Sequence, residues 1–287
     1  MKIVKPSKLI PISVIIFTLN EEIHLPTCLQ SLGDFDEVIV VDSYSTDRTK
    51  EICERTGTRF FQHPFEGFGA QRNWALEHTN PRNDWVLILD ADERVSGELL
   101  EELRSLMNSI PSDVGAYCLK RQFYLWGRWL KRSSGYPVWL VRLVHKHKVR
   151  YANRGHAETQ EVNGKVVKLY HDLIDENKKG IDEWYERQNR YSHQEAKYEL
   201  REEALNGIKV LDLFSMDPLK QRASLKSLSW RISFRPFFYF LYSYIWRFGF
   251  LDGKNGFVFC MMKASYKAMI IAKKHELRLQ KQHKYQT

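Results

Sequence analysis

The sequence predicts an α/β fold, a doubly wound and mostly parallel sheet flanked by helices, and three observations predict it. Short apolar runs bounded by turn signals recur through the first 110 residues. Helical stretches of about 10 residues separate them. The run Val86 to Leu89 then leads without a break into Asp90 and Asp92. Runs of this length are buried strands of a parallel sheet, and acids at the end of such a strand lie where open α/β sheets bind ligands.

Taken in order, Ile12 to Leu19 is a β-branched run that ends in a polar Asn-Glu-Glu loop, the pattern of a first strand. Pro26 opens a short helix that Gly33 closes. Glu37 to Asp42 is the second strand, and Thr46 or Asp47 caps a helix running to Gly57. Thr58 to Gln62 forms a third strand, Gly67 and Gly69 a loop, and Ala70 to His78 a helix before the strand that carries Asp90. Strand side chains alternate faces, so Asp90 and Asp92 are expected side by side. Their hard oxygens suit Mg²⁺ or Mn²⁺ carrying a substrate diphosphate. Ser96, with Glu98 behind it, begins an amphipathic helix through Met107. Beyond Pro111 the texture changes to strand-like pieces, Ala116 to Leu125 and Val138 to His145, with the Trp- and Arg-rich WGRWLKRSSGYP between them. A charged, Tyr-containing helix runs from Ile181 to Leu205.

A chain of 287 residues with 43% apolar content is globular and can bury one large domain with an appendage. Its net charge of +9 is unevenly placed: Lys220 to the end carries 14 Lys and Arg against 2 Asp and Glu, leaving 30 against 33 before it. Cys28, Cys53, Cys118 and Cys260 lack metal-ligand spacing and no signal segment is seen, which points to structural thiols in a cytoplasmic, reducing setting. No uncharged apolar run reaches the roughly 20 residues that span a bilayer. Between Phe234 and Phe250, 10 of 17 residues are aromatic, with Arg231, Arg235 and Arg247 at the margins. Aromatic and cationic groups in short segments suit the bilayer interface and anionic lipid, which predicts a peripheral protein on the inner face of the cell membrane. An aromatic helical hairpin packed on the α/β domain, or pairing with a second copy in a homo-oligomer, is the alternative. Single-stranded nucleic acid ranks below both, because no such module's motif accompanies the tail, so no nucleic-acid partner is expected.

The stretches ISVIIFTLNEE, VIVVDSYSTDRT, GFGAQRNWAL and ILDADE resemble, in order and spacing, the family 2 glycosyltransferases of the GT-A fold. RGHAE, NRYS and LYSYIWRFGFLDGKNGF are similar to the branch containing lipopolysaccharide-core β-1,4-glucosyltransferases. The resemblance implies a nucleotide-sugar-binding half over 1–110, an acceptor-binding and catalytic-base half over 111–215, and a membrane-associating helical region over 216–287. Thr18, Asn20, Glu21 and Asp42 would hold the nucleoside of a UDP-sugar. Ser43 stands where the family often has a second acid, which leaves the choice of uracil over guanine open. Arg72 and Asn73 would face the diphosphate, Asp90 the ribose and donor sugar, and Asp92 would ligate Mg or Mn, with Glu93 as a supporting or helix-start acid.

Glu158 would be the base that takes the acceptor's proton in an inverting transfer. The branch commonly has His directly before that Glu, whereas here Ala157 intervenes, and Glu161 is the competing acid. Arg142, His156 and His171 are candidates for diphosphate or acceptor contacts, a lone His being more often structural. The basic stretch from Arg142 to Arg154 reads as a rim facing an anionic lipid-linked acceptor, and Val138, where related sequences often carry Asp, leaves the acceptor's identity open. The implied activity is metal-dependent transfer of a hexose, glucose in this branch, to a lipid-anchored glycan such as lipopolysaccharide core. Transfer to a polyprenyl phosphate is the alternative within the class. A nucleotide-binding membrane scaffold without turnover is the alternative outside it.

Overall fold

The computed structural model describes residues 9–154, 157–205, 224, 228 and 230–284, and they form two compact units. The first comprises the described residues up to Lys179, apart from 132–134 and 154. It alternates β1 (Ile10–Thr18), α1 (Leu25–Gln30), β2 (Phe35–Asp42), α2 (Thr49–Thr56), β3 (Arg59–Gln62), α3 (Phe68–His78) and β4 (Trp85–Asp90). After β5 (Glu93–Val95) and α4 (Gly97–Leu106) come β6 (Val114–Leu125), β7 (Arg128–Trp129), β8 (Trp139–His145), β9 (Val149–Arg154), β10 (Ala157–Val162) and β11 (Lys165–Glu176). Nine strands make one sheet in the order β3-β2-β1-β4-β8-β6-β11-β5 with β7 beside β6, and β9 and β10 form a separate ribbon.

The β-branched runs explain the centre of this sheet. Ile12, Val14, Ile16, Leu87 and Leu89 enter one apolar cluster with α1 and α4, while Ile15, Val86 and Ile88 enter a second with Ala75 of α3. Both faces are covered, as a parallel sheet requires. The four strands β3-β2-β1-β4 all run parallel; beyond β4 the sheet is mixed, β8 lying antiparallel to both β4 and β6. Ser96 caps α4 as expected, its Oγ accepting the Leu99 N–H at 3.2 Å. The helix expected from Ala70 starts two residues earlier, because Gly67 at φ 127° turns the chain in ahead of Phe68 and leaves Gly69 inside α3. Strands β9 to β11 were not expected: the first half of β11 faces solvent and lacks an apolar run. All four cysteines are buried and free.

The second unit is helical: α5 (Gly180–Leu205), α6 (Arg235–Leu241), a π-helical turn Tyr242–Trp246, a 3₁₀ turn Gly249–Asp252, and α7 (Gly253–Lys284). Ala196 of α5 packs on Tyr266 and Ile270 of α7, which places α5 in this unit from Gly180 onward; the boundary expected at 216 lies outside the described residues. Lys274 is buried between Glu199 at 3.0 Å and Glu203 at 2.5 Å, and Arg235 meets Glu199 at 2.7 Å. Asp252 accepts the N–H groups of Arg132 and Ser133 at 2.9 and 2.7 Å. A Cβ on Gly256 would lie 2.4 Å from the Gly249 carbonyl, so glycine lets the 3₁₀ turn close onto α7. Among the described residues no helix is long and apolar enough to cross a membrane.

Candidate active site

Strand order reverses on either side of β1, and open α/β sheets form their ligand crevices at such a point. Register does the first part of the assembly: Thr18 of β1 stands opposite Asp42 of β2, and Phe17 opposite Asp90 of β4. Backbone pairing alone thus delivers Thr18, Asp42 and Asp90 to one edge.

The loops after β1 and β2 are cross-braced by the nucleoside candidates. Thr18 Oγ1 donates to Asp42 Oδ1 at 2.9 Å, and Asp42 Oδ2 accepts the Ser45 N–H at 2.8 Å. Asn20, at φ 55°, accepts the Thr46 N–H at 2.8 Å. Glu21 joins Lys179 and His24, each at 2.6 Å. Ser43 Oγ accepts from Gln71 Nε2 at 3.2 Å. Asp42 is wholly buried and fastens the loop, whereas Tyr44, which the sequence reading passed over, stands 56% exposed beside it.

Arg72 of α3 is buried with its guanidinium 3.5 Å from Asp90, in contact with Glu158, and 5.7 Å from the Tyr151 ring. Burial, and next the charge of Arg142, lower its affinity for the proton. Asn73 beside it donates to the Tyr151 carbonyl at 2.8 Å and accepts the Tyr151 N–H at 3.0 Å, tying α3 to β9. The pair expected to face a diphosphate is therefore divided: Arg72 meets the acids, and Asn73 meets backbone.

Asp90 lies at the centre of a charge junction. Arg142 Nη2 is 2.7 Å from Asp90 Oδ2 and 2.5 Å from Glu93 Oε1, while Glu93 Oε2 accepts the Asp90 N–H at 2.9 Å. A β-bulge puts Arg142 there. The β8–β6 register passes from Leu143 opposite Tyr117 to Val141 opposite Cys118, so Arg142 is the extra residue, re-aimed toward the acids. Its Nε is buried without a hydrogen-bond partner. Burial resists ionisation of Asp90, but the Arg142 and Arg72 charges outweigh it and hold the carboxyl well below the usual range. With 37% of that side chain open to solvent, screening weakens the field. Glu93 is the counterpart: burial, helped by the Asp90 charge and opposed by Arg142, pushes it up to about 7.

Asp92 is placed differently from the sequence expectation. Strand β4 stops at Asp90 and Ala91–Asp92 form a turn, so the alternation that was to align the two carboxylates ends between them. Asp92 is positioned from the end of β11 instead: Asn177 Nδ2 donates to its Oδ2 at 3.1 Å and the Glu176 N–H to its carbonyl at 3.0 Å. Asp175, opposite Glu93 in register, is held 2.9 Å from Arg121. Burial and then the Asp92 charge raise it far above the carboxylate range. Among the described residues no three His, Cys, Asp or Glu side chains converge on a common point. A hard cation held by Asp92 and Asp90 would take phosphate and water as its other ligands.

Glu158 sits on β10 against Arg72, and strand alternation sends Glu161 to the opposite face, where it is exposed. His156 lies outside the described residues. His171 is drawn to α4, where Glu102 lies 2.9 Å from its Nδ1 and accepts its N–H at 2.8 Å, which secures the irregular stretch of β11. Sequence reasoning missed Tyr151, Asp175, Arg121 and Asn177, which have no motif around them: β6–β11 pairing brings in Arg121 and Asp175, Asn177 follows the end of β11, and Asn73 ties Tyr151 to α3.

The family model described as Glycosyl transferase family 2 matches residues 13–166. A glycosyltransferase of Rickettsia typhi, itself uncharacterized, is 28% identical over 279 residues, 93% of this chain and 88% of that protein. The lipopolysaccharide core biosynthesis glycosyltransferase LpsC of Rhizobium meliloti is 33% identical over 147 residues, 50% of this chain and 53% of that protein. Among solved structures, S. aureus TarS 1-349 in complex with UDP-GlcNAc aligns over 93% of this chain and 91% of its own, at 16% identity and TM-score 0.41.

Proposed function

The chain belongs to glycosyl transferase family 2, and from that premise we propose that it is an inverting hexosyltransferase. In this reading it moves glucose from a UDP-sugar to a lipid-anchored glycan of the lipopolysaccharide-core kind. The observation that carries the reading is the Asp90–Arg142–Glu93 junction at the strand switch point, with Arg72 against the same Asp90 and Glu158 against Arg72.

The chemistry divides among these groups. The acceptor hydroxyl attacks the anomeric carbon as the bond from that carbon to the diphosphate oxygen breaks; UDP leaves with the bonding pair. Glu158 takes the hydroxyl proton. Arg72 offers a planar fork to the phosphate oxygens as their charge grows. Arg142 keeps Asp90 ionised and aimed. Asp92, with Asp90, would hold Mg²⁺ or Mn²⁺, which when bound neutralises charge on the diphosphate. Thr18, Asn20, Glu21 and Ser43 line the nucleoside end, and Asp42 braces it.

The lipid-anchored acceptor is supported by the relative named for lipopolysaccharide core synthesis and by the surface of the helical unit. There Phe234, Phe237, Phe238, Tyr242, Trp246 and Phe250 are exposed, with Arg235 and Arg247 in the same segment. Such a surface fits the anionic inner face of a cell membrane. Transfer from labelled UDP-glucose to deacylated lipopolysaccharide core, with wild type, Asp92→Ala and Glu158→Gln, tests the reading. Both variants should lose transfer by two orders of magnitude or more. Full activity of Asp92→Ala, or undiminished activity in excess chelator, contradicts it. A nearly silent Glu158→Gln in this assay removes Glu158 as the base; if the acceptor is instead a polyprenyl phosphate, already an anion that needs no base, transfer to that lipid should proceed and Glu158→Gln should be nearly silent there.

A further inference from the structure

The Trp-rich loop before β8 has no part in the donor edge, yet it leads into an exposed aromatic and cationic cluster. Trp139, the first residue of β8, is 36% exposed and pairs in register with Lys120 of β6. Lys120 Nζ lies 5.8 Å from the centre of its ring, and Lys168 Nζ of β11 lies 4.8 Å from it. The two lysines differ in how they are neutralised. Lys120 is 3.1 Å from Asp172 Oδ1, and the other oxygen of Asp172 accepts Tyr136 Oη at 2.9 Å and Gln122 Nε2 at 2.8 Å. Lys168 is exposed, and no carboxylate lies within ion-pair distance of it among the described residues. A partly exposed ring thus carries an uncompensated positive charge over it.

Position ties the cluster to the reaction. Alternation along β6 carries Lys120 and Gln122 to the face of Ala116, which packs in the same cluster as Val86 and Ile88, the face of Asp90 on β4. Trp139 precedes Arg142 by three residues, about 10 Å along a strand, the reach of one or two sugar rings.

We propose that Trp139, Lys168 and Lys120 form an acceptor subsite for an acidic sugar. The ring stacks on the apolar face of a pyranose, Lys168 pairs with that sugar's carboxylate or phosphate, and Lys120, held by Asp172, fixes the ring from β6. The proposal rests on the transferase reading and adds the chemical class of the acceptor to it. A purely structural cation–π tie would hold strands together and discriminate no ligand.

The test uses the full chain and deacylated lipopolysaccharide core oligosaccharide in three forms: native, dephosphorylated with hydrogen fluoride, and carboxyl-reduced. Calorimetry reads binding without turnover, and transfer kinetics read KM and kcat. Lys168→Gln should weaken native oligosaccharide about tenfold in Kd and acceptor KM, with kcat and the UDP-induced thermal shift near wild type. Trp139→Ala should weaken all three forms. Wild type should reject one neutralised form, which says whether phosphate or carboxylate is read, and Lys168→Gln should lose that preference. Equal binding of all three forms by wild type, or identical binding by wild type and Lys168→Gln, overturns the subsite. Intact discrimination without any transfer overturns the transferase reading alone.

Discussion

At the carboxyl edge of the sheet, charged side chains lie buried in pairs, with Arg142 4% exposed between Asp90 and Glu93; in the helical unit, Phe234 and Trp246 stand 73% and 78% exposed. Each region reverses the usual partition of polar inside water and apolar inside protein. Burying a charge costs several kcal/mol unless a partner lies close, so the first region is stable as a network and fragile to removal of any one member. Exposed rings cost the folded state little, since singly placed apolar side chains are tolerated on surfaces, but a contiguous patch of them marks an interaction site. In the function proposed above, the first arrangement receives an anionic ligand with its cation and the second meets a lipid surface.

Substitutions separate the two. Removing one partner of a buried charge pair leaves the others uncompensated, so Arg142→Ala should destabilise the chain by about 3 kcal/mol in urea titration and abolish transfer. A loss below about 0.5 kcal/mol would mean that Asp90 and Glu93 do not depend on the bridge. Asn73→Ala deletes both hydrogen bonds from α3 to the Tyr151 backbone and should cost about 1–3 kcal/mol, again by urea titration, while the UDP-induced thermal shift persists. Loss of that shift at unchanged stability would return Asn73 to the diphosphate.

In the helical unit, burial, and next the Arg235 and Lys263 charges, bring Lys267 down to about 8 from 10.5. Between those values the unfolded chain binds more protons, so stability gains as pH rises. Below pH 8 the full penalty for the buried charge is present. Lys267→Met should therefore be more stable than wild type near pH 7, with the gap narrowing toward pH 10; a constant gap contradicts this. The smallest folding effect belongs to the surface. Phe237→Ser with Trp246→Ser should change stability by less than about 0.5 kcal/mol yet release the protein from phosphatidylglycerol vesicles in sedimentation. Unchanged sedimentation, with a loss of self-association by light scattering, would assign that face to a second copy of the chain.

The parallel half of the sheet was legible because β1, β2 and β4 are near-continuous apolar runs whose ends carry the polar residues of the site. Thr18, Asp42 and Asp90 could be placed from those ends alone. Arg142 and Glu93 could not be joined, since a bulge in β8 decides where Arg142 points and no local pattern marks a bulge. The alternation rule misplaced Asp92 for a related reason: it assumes the strand continues, and the chain turns after Asp90. Strand β11 was hidden by its exposed first half and by the irregularity between Lys168 and Asp172.

The most direct test of the donor site is a thermal-shift panel of UDP, GDP, CDP and UDP-glucose, with and without Mn²⁺, on wild type and Asp92→Ala. A ligand that binds the folded state alone raises apparent stability by mass action. UDP and UDP-glucose should raise the midpoint of wild type with Mn²⁺ present and leave Asp92→Ala unmoved. No shift with any nucleotide, or an equal shift in the variant, would contradict a cation-assisted donor site at the Asp90–Asp92 turn.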